Sequence, residues 1–267
     1  MGDGAEAMKT KWIPGAVSAT FKKMPLTTAE IISLLKDCGL KAVEWSENVH
    51  VFPGDIEGAE KLRWATEDAG LRITAYGSYF RLGENADPAG AFMPSLRSAK
   101  ALGAPVIRIW AGAKGSAEVS EEERCAWTRE AALIGGLSRE YGIKAAFEWH
   151  KNTLTDTNES AARLIREANH PNLYCLWQPT VALSPRERMA GIRQMGERLL
   201  HFHVYSWPDG KRGPLNAAEW QYYLDAAEGL QPERCALMEF VRDDTVEQFR
   251  QDAKTLINLL ESGEEHG

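Results

Sequence analysis

Apolar positions along the chain fall into short runs separated by longer segments in which they recur every three or four residues. The runs have the length of buried strands, and the longer segments have the period of amphipathic helices. The first run covers 12–21. Thr27 and Glu30 then have capping-box spacing, and Ile31, Ile32, Leu34 and Leu35 mark the helix they open, which stops near Gly39. A second strand is expected over 42–45, a helix over 56–69 closed by Gly70, a third strand over 71–76 and a helix over 89–102 closed by Gly103. A strand over 105–110 leads to a helix opened by Ser120 and Glu123 that ends near Gly142. Strands over 143–148, 173–177 and 199–205 alternate with helices over 159–168, 185–195 and 216–227, the last opened by Asn216 and Glu219. A strand over 235–241 and a helix capped by Asp244 and Glu247, ending near Leu260, complete the series.

Eight such β/α units without a linker-like break predict one (β/α)8 TIM barrel, a fold of about 250 residues. A doubly wound open sheet is the competing architecture, but it commonly carries a Gly-rich phosphate loop after its first strand. Here that position reads Lys22-Lys23-Met24-Pro25. The barrel is expected over 8–262, between a disordered N-terminal tail at 1–7 and a short C-terminal tail at 263–267. The first seven residues are acidic and lack the apolar stretch of a secretory signal.

Charge and cysteine usage narrow the function. Lys+Arg 31 against Asp+Glu 38 leaves a net charge of −7, which argues against nucleic-acid and membrane-surface partners. No apolar stretch approaches the ~20 residues that span a bilayer. Cys38, Cys125, Cys175 and Cys235 are widely spaced, which excludes a CxxC zinc ribbon and makes a disulfide framework unexpected. Reduced thiols in a cytoplasmic enzyme fit better.

In a TIM barrel the active site lies at the C-terminal ends of the strands. The polar residues there are Glu44, Tyr76, Arg108, Glu148 with His150, Gln178, His203 and Glu239. A charged group at the end of a buried strand is costly unless paired or metal-bound. Glu, Gln and His donors without a thiolate suit one divalent ion, Mn2+, Co2+ or Mg2+, with Zn2+ also admissible. Arg108 points into the barrel if Ile107 and Ile109 face the helices, and is then expected to pair with a carboxylate such as Glu44. Trp45, Trp110, Trp149, Trp177 and Trp207 fall at or near strand ends, where aromatic faces stack on sugars. Ordinary strand-to-helix packing is expected for at least two of the five. Lys211 and Arg242 are candidates to meet an anionic group on the ligand, with solvated loop charges as the alternative.

The motifs Phe147-Glu148-Trp149-His150 with Thr153-Leu154-Thr155, His201-Phe202-His203-Val204 and Leu237-Met238-Glu239-Phe240 resemble the xylose isomerase-like TIM-barrel superfamily of sugar isomerases and epimerases. The resemblance covers roughly 11–260. It implies a metal held by Glu148, Gln178, His203 and Glu239, with Glu148 and Glu239 as acid and base on opposite faces of a carbohydrate. Two positions depart from the family pattern: Gln178 stands where Asp is usual, and Val181 where a substrate-binding His is common. The expected activity is isomerisation or epimerisation of a sugar by proton abstraction next to a carbonyl. A lyase or hydratase on a keto-sugar or keto-glycoside would use the same site, and a non-catalytic sugar-binding barrel is a third reading. Glu44, Arg108, His150, Trp110, Trp177, Lys211 and Arg242 are the expected substrate contacts. Self-association is common for such barrels and is expected as a possibility here.

Overall fold

The computed structural model of the chain describes residues 10–230 and 232–265. The expected tail at 1–7 lies outside the described residues, as do 266–267. Eight parallel strands pair in sequence order: β1 (Lys11–Val17), β2 (Ala42–Ser46), β3 (Arg72–Arg81), β4 (Val106–Trp110), β5 (Lys144–Glu148), β6 (Leu173–Trp177), β7 (Leu199–Val204) and β8 (Glu233–Met238). β8 pairs back onto β1 and closes the barrel. The outer layer is α1 (Thr28–Asp37), α2 (Ile56–Asp68), α3 (Pro88–Ala101), α4 (Glu121–Glu140), α5 (Asn158–Ala168), α6 (Pro185–Met195), α7 (Ala217–Ala226) and α8 (Val246–Glu265). This is the (β/α)8 barrel expected from the apolar pattern. Among the described residues no helix is long and apolar enough to cross a membrane.

The capping boxes Thr27/Glu30 and Ser120/Glu123 form as expected, and Ser184/Glu187 adds a third at α6. Five boundaries differ from the sequence reading, one of them at α8, which runs on to Glu265, past the expected end near Leu260 and into the expected tail at 263–267. The first apolar run divides, because β1 ends at Val17 and residues 18–21 form a 3-10 turn. β8 stops at Met238, three residues before the expected end at 241. β3 continues to Arg81 because side chains tether the extension: the buried Glu47 carboxylate accepts from Tyr79 N (3.3 Å) and from Ser95 Oγ (2.5 Å). The last helix is capped by Thr245, whose Oγ1 accepts from Gln248 N (3.2 Å). Asp244 does not cap it. Its φ is 49°, and its carboxylate is taken by Lys23 and Arg212.

Strand alternation sorts the side chains into two layers. Ile107, Ile109, Phe147, Trp177 and Phe202 join the large core between strands and helices. Two small clusters, one around Ala42, Cys235 and Leu237 and one around Ala75, Val106, Ala146 and Leu176, fill the barrel interior. The interior is tight. A Cβ on Gly15 of β1 would lie 2.4 Å from Ala42 O and 2.7 Å from a Leu237 methyl. Gly15→Ala should therefore cost about 1–3 kcal/mol, the usual range for overpacking a filled core. The measurement is the urea midpoint at unchanged slope. A midpoint equal to the parent's would mean that β1 and β2 separate without cost.

Candidate active site

The floor of the barrel mouth is a buried chain of charges. Arg108, inward on β4, places Nε 3.0 Å from Glu44 Oε1 and ion-pairs through Nη1 with Glu148 Oε2. β3 makes room for it by having no side chain at Gly77. A Cβ there would lie 2.6 Å from Glu44 Oε1 and 2.8 Å from Arg108 Nη2. His203, inward on β7, places Nε2 2.9 Å from Glu44 Oε2, while its Nδ1 lies 3.5 Å from both Glu148 Oε1 and Glu239 Oε2. With Nε2–H donating to Glu44, the Nδ1 side of the ring faces the two remaining glutamates.

These contacts set the protonation states. Burial pushes the Glu148 carboxyl up, but Arg108 and His203 outweigh it and hold the group at about 2. Glu44 is likewise lowered, with burial opposed by His203 and Arg108. Burial pushes His203 down, yet the charges of Glu44 and Glu239 and the hydrogen bond to Glu148 carry it well above the ordinary imidazole value.

Donor atoms of Glu148, His203 and Glu239 all lie within 4.8 Å of one another. Gln178, the first residue after β6, lines the cavity beside Glu148 and Glu239. Its Nε2 donates to Trp149 O (2.6 Å), which fixes the amide, and its Oε1 is buried without a hydrogen-bond partner. His203 Nδ1 and Glu239 Oε2 are buried too, and the contacts that Nδ1 makes with Glu239 Oε2 and Glu148 Oε1 are long, at 3.5 Å. A buried polar atom left without a good hydrogen bond costs about 1–3 kcal/mol, which a cation shared by these donors would relieve. Charge fits as well. Arg108 neutralises Glu44, and the two negative charges left on Glu148 and Glu239 match one divalent cation.

Above the floor is a solvent-open cavity of about 800 Å3. His150, Trp110, Tyr79, Tyr205, Trp207 and Phe240 wall it, and Lys22 and Lys151 stand at its rim. The turn after β5 is folded by its own hydroxyls. Thr155 Oγ1 donates to Glu148 O (2.7 Å) and Thr153 Oγ1 to His150 O (2.7 Å). His150 Nδ1 is 2.6 Å from Lys151 O. A carbonyl only accepts, so Nδ1 carries hydrogen and a neutral ring leaves Nε2 with a free lone pair. The His150 ring also packs on Trp110 at 4.4 Å, and the Arg81 guanidinium lies 4.4 Å from the same indole.

The expected residues separate into those brought together and those left out. Glu148, His203 and Glu239 converge, and Gln178, Arg108, His150 and Trp110 border the cavity. Glu44 is fully buried beneath the floor, engaged with His203 and Arg108, and so sits away from any ligand in the mouth. Trp177 faces outward, packed on Phe202 (4.9 Å), Tyr223 (5.0 Å) and Trp220 (5.9 Å), because Gln178 beside it faces inward. Trp45 also belongs to the outer layer, where its Nε1 donates to Thr66 Oγ1 (3.2 Å). Lys211 is exposed on the loop after β7 and does not border the cavity. Arg242 is held by Asp243 (3.2 Å) and Gln248 (2.7 Å) outside it. Tyr79, Tyr205, Phe240 and Lys22 were not anticipated as lining groups. Tyr205 lies two residues after His203 and Tyr79 two after Gly77, the inward parity that would have found both, whereas Phe240 follows an inward residue and reaches the wall only through its left-handed φ of 58°.

A cation can bind His203 Nδ1 only after its proton leaves. Because the folded His203 holds that proton above its ordinary value, divalent-ion affinity should rise with pH and level off once the ring is neutral. Calorimetric titration with Mn2+ in two buffers of different ionisation enthalpy should show about one proton released per ion bound. Binding without proton release would remove His203 from the ligand set.

The family model for the xylose isomerase-like TIM barrel matches residues 32–233. A 3-dehydroshikimate dehydratase from Bacillus anthracis is 27% identical over 199 residues, covering 69% of this chain and 68% of that protein. The crystal structure of a probable 3-DHS dehydratase of petrobactin synthesis, also from Bacillus anthracis, superposes with a TM-score of 0.77 at 19% identity, covering 92% of this chain and 99% of that one. The structure of an L-ribulose 3-epimerase superposes with a TM-score of 0.71 at 13% identity, covering 95% and 96%. The closed eight-stranded barrel, the Glu-His-Glu cluster at its mouth and the family match agree, and the chain belongs to the xylose isomerase-like TIM barrel family.

Proposed function

We propose that the chain is a divalent-metal-dependent dehydratase that removes water from a hydroxylated keto-acid. The observation that carries this reading is the inequivalence of the two mouth glutamates. Arg108 clamps Glu148, whereas Glu239 Oε2 has no guanidinium and only His203 Nδ1 at 3.5 Å, and His150 turns its Nε2 edge away from the Lys151 carbonyl that holds its Nδ1. Epimerisation needs proton carriers of matched basicity on both faces of a carbon, and a carboxylate tied to a guanidinium is a poor one. β-Elimination needs proton transfer on one face only.

Glu148, Gln178, His203 and Glu239 would hold the ion. Bound there, it would polarise a substrate carbonyl and acidify the neighbouring C–H. His150 Nε2 then takes the α-proton and delivers it to the departing β-hydroxyl. One C–H and one C–O bond break, a C=C bond forms, water leaves and His150 ends as it began. Arg108 keeps Glu148 ionised throughout. Lys22 and Lys151, neither with an ion-pair partner among the described residues, supply positive charge for the acid group. The likeness to a 3-dehydroshikimate dehydratase supports both the reaction and the substrate class.

The epimerase reading rests on one observation of its own, the equal 3.5 Å spacing of Glu148 and Glu239 from His203 Nδ1. Turnover in deuterium oxide separates the two. A dehydratase converts 3-dehydroshikimate into an aromatic product followed by ultraviolet absorbance. An epimerase returns ketoses carrying deuterium and no dehydrated product, an outcome that would sink the proposal. His150→Ala should lower the dehydration kcat by on the order of 10²–10⁴-fold while Mn2+ affinity stays at the parent's value.

A further inference from the structure

Phe240 adopts a φ of 58°, in the left-handed region that a bulky side chain rarely occupies, and Asp243 and Asp244 follow at 64° and 49°. This turn comes directly after Glu239. Strain of this kind persists where the surroundings over-determine it, and it clusters at functional sites. The determinants are visible. The buried Thr20, on the 3-10 turn after β1, donates Oγ1–H to Met238 O (3.3 Å) and accepts from Phe240 N (3.2 Å), so one hydroxyl straddles Glu239. Glu239 N itself donates to Val204 O (2.9 Å), at the end of β7 and next to His203.

The far side of the turn is clasped by charge. The Arg212 guanidinium lies 4.7 Å from the Phe240 ring centre and pairs with Asp244, which Lys23 also meets at 3.2 Å. Lys23 follows β1, Arg212 follows β7, and Asp244 follows β8. Three loops therefore converge on one turn. The result is that the Glu239 carboxylate faces His203 Nδ1 and the Phe240 ring packs with Tyr205 and Trp207 on the cavity wall.

We infer that Thr20 is a positioning residue for Glu239: its hydroxyl holds the strained turn that aims this carboxylate into the candidate metal centre. The inference rests on the proposed role of Glu239 as a ligand. It does not require the reaction to be an elimination. Without the hydroxyl, Phe240 relaxes to a negative φ and swings Glu239 away.

Thr20→Val keeps the shape and removes the hydrogen bonds. Calorimetry should show Mn2+ affinity reduced by on the order of 10–100-fold, the range found when a group supporting a ligand is lost. Thr20→Ser should bind as the parent does. Adding Phe240→Gly to Thr20→Val should restore the affinity, because glycine takes a positive φ without strain. A merely structural role for Thr20 predicts no such rescue. A crystal structure of Thr20→Val should show Glu239 Oε2 moved beyond its 3.5 Å spacing from His203 Nδ1. If Thr20→Val does not fold, Thr20→Ala carries the same expectations. Parental affinity with unmoved Glu239, or a loss that Phe240→Gly leaves in place, overturns the inference. If the parent protein binds no Mn2+, the ligand assignment fails instead, and the position of Glu239 in the variant crystal still decides the role of Thr20.

Discussion

The mouth of this barrel is organised around one buried guanidinium. Arg108 lies between Glu44 and Glu148, Glu44 in turn holds His203, and His203 turns its second nitrogen toward Glu148 and Glu239. Every member is at most a few per cent exposed, so none can fall back on water. Removing one partner of a buried ion pair costs about 3–5 kcal/mol because it strands the other. That constraint explains features that otherwise look unrelated. Gly77 on β3 exists as a gap for the pair, and Ala75 and Ala146, the inward residues flanking it on β3 and β5, are small. A barrel interior filled throughout with Val, Ile and Leu would have no space for an arginine lying across it.

The chain's apolar rhythm was enough to read the closed barrel, and strand-end position was enough to point to the cluster of Glu148, His203 and Glu239. Both rest on short-range rules. Parity along a strand was available too, and it was not pressed far enough. If Gln178 faces inward, Trp177 must face outward, as its packing on Trp220 and Tyr223 shows. Depth is different. Glu44 has the right parity, but whether it reaches the cavity or lies beneath it depends on strand tilt and stagger, which no single segment encodes. Loop charges are illegible for a related reason. Lys211 and Lys22 look alike in sequence, yet only Lys22 borders the cavity, because the course of each loop is set by distant contacts.

The β8–α8 turn shows the same limit in local form. Asp244 with Glu247 has capping-box spacing, so a helix start there is a fair expectation. The competing use of the carboxylate, as a clasp for Lys23 and Arg212, comes from residues more than 200 and about 30 positions away. Once Asp244 is spent there, Thr245 takes over the cap, and the turn before it holds Phe240, Asp243 and Asp244 at positive φ. Long-range charge pairing has overridden a local signal, and it has done so beside a glutamate whose direction matters.

The replacement of the usual Asp by Gln178 then has an electrostatic logic. With three carboxylates and one guanidinium already buried, the site carries two uncompensated negative charges when His203 is neutral, and a bound divalent cation would cancel them. An aspartate at 178 would add a third to a volume that excludes water, and the excess would have to be met by another buried cation or by a proton. The amide avoids this. Its oxygen still points inward as a donor, while its nitrogen is tied to Trp149 O, so orientation is kept and charge is not. Glu44, Arg108 and Gln178 are therefore best understood as one electrostatic unit, in which the residue that departs from the family pattern is the one that balances the other two.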